Sequence, residues 1–259
     1  MTSLKIMDSN LQADQDLDAQ QHHLSSINYD LRITNLARFI YKKINESKDK
    51  SRKSIKMIDI GAGNGLFLKF FKEKGIDVSG IELEQEHVDN MKKDPQLAGI
   101  DIRQGDITQL NGNEEYDVVI ASDVIEHIQE DEKAIQHLWS FVAPGGLLII
   151  TVPAHAHLYG KRDVAWGHFR RYDRSNLVSK VENLPSSSLE FVTLWNTVGY
   201  FVYFLYEKIL NRPINEKMRY SSSLPSRAAK SVLDKILRFE ETVGGTPLGL
   251  TLIVGVKKR

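Results

Sequence analysis

Short apolar runs alternate with stretches of helical spacing along most of this chain. Residues 55–60, 77–83, 100–103, 116–122 and 147–152 each predict a strand, and the last two are nearly unbroken apolar runs, as in strands buried on both faces. Between them, residues 66–74, 86–93 and 131–141 place apolar side chains at helical intervals, with Gly75 and Asp94-Pro95 stopping the first two. Ahead of the first strand, Leu24, Ile27, Leu31, Leu36, Phe39, Ile40 and Ile44 keep a helical rhythm after a polar leader over 1–20. Strands alternating with helices at this pace predict an α/β fold, a Rossmann-like doubly wound sheet that is mostly parallel.

After Pro153 the rhythm breaks. Residues 155–172 are rich in His, Arg and aromatics without a clean period. Residues 189–195 and 250–256 are strand-like and predict a C-terminal antiparallel pair. A helical insertion precedes the last strand. It opens on an aromatic helix, Tyr200–Leu210, passes through a Ser-rich basic middle over 219–227, and ends helical again. The expected division is therefore a leader and cap helix over 1–54, a core over 55–198, an insertion over 199–245 and a last strand over 246–259.

Composition narrows the partners. Lys+Arg and Asp+Glu both number 34, so no net charge points to nucleic acid or an anionic membrane. The absence of cysteine excludes disulfides, thiolate metal sites and cysteine nucleophiles, and fits a reducing compartment. The polar residues 1–21 hold no apolar signal core, and the longest nearly uncharged apolar stretch, 194–206, falls short of the roughly 20 residues of a membrane span. A cytoplasmic protein without stable membrane insertion is expected, with peripheral contact left open. The oligomeric state is not legible.

The chemistry starts at Met57–Phe71, where an apolar run reaches Asp59, turns through Gly61, Gly63 and Gly65, and continues with helical spacing. Glycines let a backbone turn tightly and a ligand approach without Cβ interference. The dinucleotide fingerprint would need glycine at 66, where this chain has Leu66, which disfavours an NAD-dependent oxidoreductase. Glu82 stands at the end of the second predicted strand and Asp106 beyond the third. Residues 116–127 read Tyr-Asp-Val-Val-Ile-Ala-Ser-Asp-Val-Ile-Glu-His, and residues 144–153 read Pro-Gly-Gly-Leu-Leu-Ile-Ile-Thr-Val-Pro.

Taken together these segments resemble class I S-adenosylmethionine (SAM) methyltransferases, closely over 55–155 and loosely elsewhere. The stretch Gly167-His168-Phe169-Arg170-Arg171-Tyr172 resembles a bacterial subgroup of these enzymes. The resemblance implies SAM as cofactor, bound by Asp59, Gly61, Gly63, Gly65, Glu82, Leu83, Asp106, Ile107 and Asp123. Within that set Glu82 is expected on the ribose and Asp106 beside the adenine, although Asp106 also reads as a plain turn residue. In ubiquinone-type O-methyltransferases a similar Glu-x-x-Glu-His segment holds a divalent cation. Here Asp123 replaces the first Glu, so no metal is the primary expectation, with Asp123, Glu126 and His127 as the alternative.

The acceptor side rests on residue chemistry. His168 and His127 are the candidate bases, since a histidine can take an acceptor's proton near neutral pH. His155, Arg170, Arg171 and Tyr200 are the candidate acceptor contacts, the arginines as anion clamps and the aromatic helix as an apolar cap. A basic surface loop and plain core packing are the competing readings of these residues. The implied reaction is methyl transfer to an O or N atom of a small acceptor, hydrophobic or lipid- or sugar-linked. A non-catalytic SAM- or nucleotide-binding module is the alternative.

Overall fold

The computed structural model describes residues 31–47, 54–110, 112, 115–211 and 224–259; the leader, the start of the expected N-terminal helix with Leu24 and Ile27, and residues 219–223 of the insertion's basic middle lie outside these. Along the chain run α1 (Leu31–Ser47), β1 (Lys56–Ile60), α2 (Leu66–Glu73), β2 (Asp77–Glu82), α3 (Gln85–Lys93), β3 (Asp101–Gln104), β4 (Tyr116–Ser122), α4 (Asp131–Ser140) and β5 (Val142–Pro153). They are followed by α5 (Lys161–Ala165), α6 (Arg174–Glu182), β6 (Ser187–Trp195), α7 (Thr197–Tyr203), α8 (Leu224–Val243) and β7 (Thr251–Lys258). A π-helical turn, Phe204–Ile209, prolongs α7.

Seven strands form one sheet in the order β3-β2-β1-β4-β5-β7-β6. β1 to β5 pair in parallel, while β7 runs antiparallel to both β5 and β6. The sheet is the predicted one, with the antiparallel pair at one edge. Its strands read as apolar runs because both faces are covered. Ile58, Val119, Leu148 and Val254 face a core completed by α4 and α6; their alternates Met57, Val118, Ile149 and Ile253 face a second core under α1, α2 and α3.

Strand order reverses between β1 and β4, which opens a crevice at their carboxyl ends, where ligands bind in such sheets. α1 closes this crevice from one side and is itself braced by α8. Asn35 Nδ2 donates to Asp234 (2.9 Å), Arg38 also reaches Asp234 (3.3 Å), and Lys42 Nζ donates to the Glu241 carbonyl (2.7 Å). At the base of α8, buried Glu240 accepts from the amides of Asn196 (2.7 Å) and Thr197 (3.0 Å), fixing the start of α7. The helix α6 is absent from the sequence reading because only Leu177 and Val181 along it are buried.

Candidate functional site

A cavity of about 470 Å³ occupies the crevice. Its floor is the start of the glycine turn, where Gly61 and Gly63 line it and Gly65 does not. Gly61, Gly63 and Gly65 have φ of 79°, 54° and 74°, values that L side chains rarely adopt. A Cβ on Gly61 would lie 2.5 Å from Val124, and one on Gly65 2.7 Å from Leu97, so neither position tolerates a side chain.

Two acids frame this end and behave oppositely. Glu82 Oε2 accepts the Gly63 amide (2.7 Å) and Oε1 the Glu84 amide (3.1 Å), with His87 Nδ1 at 3.9 Å. Burial pushes Glu82 up, but the neighbouring His87 imidazole and the hydrogen bonds from the two amides outweigh it and hold the carboxyl below its usual range. Two of its lone-pair positions are used, and an ionised carboxylate has about four, so acceptors remain for a vicinal diol. Asp59 is buried as well, yet its Oδ1 has no partner among the described residues. Burial, and then the Glu82 charge, push it up to about 7. A buried, half-ionised acid with an orphaned oxygen suits a cationic ligand.

Leu83, 55 % exposed, and buried Ile107 line the same end. So does Asp106, which also caps its own turn, accepting from the Thr108 amide (2.8 Å) and hydroxyl (2.7 Å). Asp123 lines the cavity in a left-handed conformation (φ 54°) and pairs with Arg32 Nη2 of α1 at 2.9 Å. Arg32, Ile33 and Leu36 thus form a wall that the sequence reading missed. Arg32 and Asp123 stand 91 positions apart, a pairing that no local pattern signals.

Across the cavity lie Glu126, His127 and His168, each with a ligand-capable atom within 4.8 Å of the others'. Glu126 is fully buried with both oxygens unpartnered among the described residues; burial, then Asp123, push it well above the carboxylate range. Burial, then the neighbouring His168, push His127 down to about 4, so it is neutral at neutral pH. The two imidazoles meet edge to face at 4.6 Å. The expected trio is therefore redrawn: Arg32 engages Asp123, and His168 takes its place beside Glu126 and His127.

The acceptor contacts change more. Arg170 does not line the cavity. It donates to the carbonyls of Ile128 (2.9 Å) and Gln129 (2.8 Å) and pairs with Asp131 (3.1 Å), clamping the loop after β4 from outside. Arg171 does line the cavity, but its Nε is given to both oxygens of Asp163 (2.9 and 2.8 Å) and its Nη1 to the Ala154 carbonyl (3.3 Å). His155 sits outside, its Nε2 on the Gly249 carbonyl (3.0 Å) and its ring against Tyr200 (5.0 Å). Tyr200 is likewise outside, packed on His155 and stacked with Phe204 (6.3 Å). α7 therefore backs the loop over 155–172 instead of capping the cavity. Apolar lining comes from Ile33, Leu36, Leu66 and Phe67, joined by Trp166, whose ring lies 4.6 Å from the Arg162 guanidinium.

A family model described as a methyltransferase domain matches residues 32–200. A ubiquinone biosynthesis O-methyltransferase of Rickettsia canadensis is 30% identical over 115 residues, 44% of this chain and 48% of that protein. The chain thus aligns with about half the length of that curated relative. Among solved structures, a SAM-dependent methyltransferase from Mesorhizobium loti superposes with a TM-score of 0.55 at 13% identity, covering 85% of this chain and 98% of that one. The [4+2]-cyclase SpnF superposes equally well, at a TM-score of 0.55 and 18% identity over 88% of this chain and 80% of its own. At these identities the superpositions show the fold alone.

Proposed function

The chain belongs to the methyltransferase-domain family of SAM-dependent enzymes, and from that premise we propose that it moves a methyl group to an oxygen or nitrogen of a small acceptor. The observation that carries this reading is the continuity of one cavity. Glu82, Asp59 and the glycine turn lie at one end, and Glu126, His127 and His168 at the other.

SAM supplies a methyl group already activated on a sulfonium, so the protein's share is placement, exclusion of water and removal of a proton. Glu82 takes the ribose hydroxyls, Asp59 answers the positive charge, and Leu83, Asp106 and Ile107 hold the adenine end. Arg32, drawn over the site by α1, closes the methionine end. His168 receives the acceptor's proton at a ring nitrogen. His127, uncharged near neutral pH, adds no positive charge of its own beside that nitrogen. The cavity's Arg162–Trp166 pair favours an acceptor with a flat or apolar body and a polar head.

A panel of phenols, amines and cell-extract fractions, read out as S-adenosylhomocysteine formed, tests this proposal. Calorimetric SAM binding with no product from any fraction would instead favour a non-catalytic SAM-binding module, the reading that SpnF's different chemistry on the same fold keeps in view.

A second reading concerns a divalent cation. The orphaned oxygens of Glu126 beside two histidines form a chemically suitable donor set. Loss of turnover on EDTA treatment, restored by one divalent ion, supports this reading; unchanged turnover dismisses it.

A further inference from the structure

Asp163, on α5, is buried and gathers more donors than its ion pair with Arg171 needs. Its Oδ1 accepts from His168 Nδ1 (2.9 Å) and Arg171 Nε (2.9 Å). Its Oδ2 accepts from Arg171 Nε (2.8 Å), the Tyr203 hydroxyl (2.9 Å) and the Gly160 amide (2.9 Å). Burial alone would raise this acid, but the bonds from His168 and Arg171 hold it well below the usual carboxylate range. Bonded through both oxygens to the Arg171 guanidinium and accepting from three further donors, it is an acceptor with nothing to donate.

We propose that Asp163 is a positioning residue for methyl transfer. By accepting from Nδ1 of His168, it fixes that ring as the Nδ1–H tautomer and presents Nε2 as the bare nitrogen to the acceptor. The inference rests on the methyltransferase reading for its purpose, but its geometry stands apart from it.

Three further contacts keep the ring from turning away. The His168 amide donates to the Asp163 carbonyl (2.8 Å), the His168 carbonyl accepts from Tyr159 Oη (2.7 Å), and the imidazole packs edge-on against His127. Nε2 has no hydrogen bond among the described residues, and His168 lines the cavity. In the transfer step the acceptor's proton passes to Nε2, and the resulting imidazolium stays paired with the Asp163 carboxylate. A cation bound at the same face would need the same bare Nε2, with Asp163 as the carboxylate behind the liganding histidine. The carboxylate also bonds Tyr203 of α7, so the docking of that helix and the setting of the base share one residue.

The test begins with the unmodified protein and needs no acceptor. Long-range 1H–15N correlation spectra, with His168 assigned by loss of its signals in His168→Gln, report the tautomer at a pH where the ring is neutral. Nδ1–H is expected. Nε2–H overturns the proposal whether or not any Asp163 variant folds. In Asp163→Asn the new amide can donate to Nδ1, so the signals should switch to Nε2–H. SAM affinity should stay within about twofold, while turnover falls about ten- to a hundredfold. Turnover that survives the switch also overturns it. Tyr203→Phe, which removes one bond to Asp163 but spares His168, should leave the tautomer unchanged; a switch there would assign the effect to general loosening and defeat the proposal. An Nδ1–H ring in a protein that methylates no acceptor tells against the methyltransferase reading alone.

Discussion

At the proposed SAM site, Asp59 would make cofactor binding a proton-linked event, and the size of the effect follows from its burial. In the free protein its carboxyl titrates near neutrality, at about 7, because burial and then the Glu82 charge oppose ionisation. SAM carries a sulfonium and an ammonium, and a cation beside Asp59 favours its charged form. Binding SAM therefore expels the proton wherever the free acid still holds one. With a midpoint near 7 about one-eleventh of the free protein is ionised at pH 6 and about ten-elevenths at pH 8. Affinity should then rise about tenfold across that interval, ~1.4 kcal/mol, and binding at pH 7 should release about half a proton. Calorimetry at pH 7 in buffers of different ionisation enthalpy counts that proton directly. The neighbouring Glu82 pushes the His87 imidazole up, and its titration and that of the ligand's own amine are common to both proteins, so the informative quantity is the wild-type affinity divided by that of Asp59→Asn, in which both cancel. A ratio that stays flat from pH 6 to pH 8, with no proton released, would refute the reasoning.

The same shift has a cost in the free protein. A folded value of about 7 against an ordinary 3.8 means that ionisation opposes folding: the stability present below pH 4 is lost as pH rises towards 7. Asp59→Asn should therefore raise the melting temperature of the free protein increasingly between pH 5 and pH 8, with a ceiling on the order of 4 kcal/mol. Glu82→Ala should weaken SAM binding by about 1.5–3 kcal/mol, the usual range for a lost hydrogen bond to a charged group; an unchanged calorimetric constant would remove Glu82 from the cofactor site. Arg32→Ala frees α1 from Asp123 and should raise the SAM dissociation constant about five- to tenfold while reducing its salt dependence, as a titration at two ionic strengths would show. Glu240→Ala strands the amides of Asn196 and Thr197 and should destabilise the fold by about 2–4 kcal/mol, visible in a denaturant titration as a lower midpoint with an unchanged slope.

The end of the cavity at the glycine turn was legible in the sequence because its constraints are local. A strand buried on both faces must be an apolar run, and a turn with three left-handed residues selects glycine, so β1, Gly61, Gly63, Gly65 and the acid ending β2 announce themselves. The opposite end was not legible, because there the outcome depends on which way adjacent side chains turn. Arg170 and Arg171 are neighbours of like chemistry, yet one clamps the loop after β4 from outside and the other is buried on Asp163. On α7, Tyr200 packs on His155 while Tyr203, about one helical turn later, reaches Asp163. An aromatic helix without a clear polar stripe gives no means of ranking its faces. The wall contributed by α1 depends on Arg32 meeting Asp123 across the fold, and Asp163 itself looks unremarkable in sequence, an acid in a charged stretch.

β7 lies between β5 and β6, and this sets an order of assembly on a chain made from its amino end. β1 to β4, with the glycine turn and both framing acids, can pair as they emerge, each beside a strand already present. β6 has no such neighbour. Among the described residues its ladder is with β7 alone, whose first residue follows the end of β6 by more than fifty positions. Until that segment arrives, β5 has an open edge and β6 has no partner strand, while the sequence of α7 and α8 is synthesised between β6 and β7. Closing the sheet therefore means inserting a late strand into a gap between two early ones, a non-local step of the kind that slows folding. During synthesis the half that carries the glycine turn can thus mature while the other edge still presents unpaired backbone, which makes that edge the place where a stalled or truncated chain would stick to others.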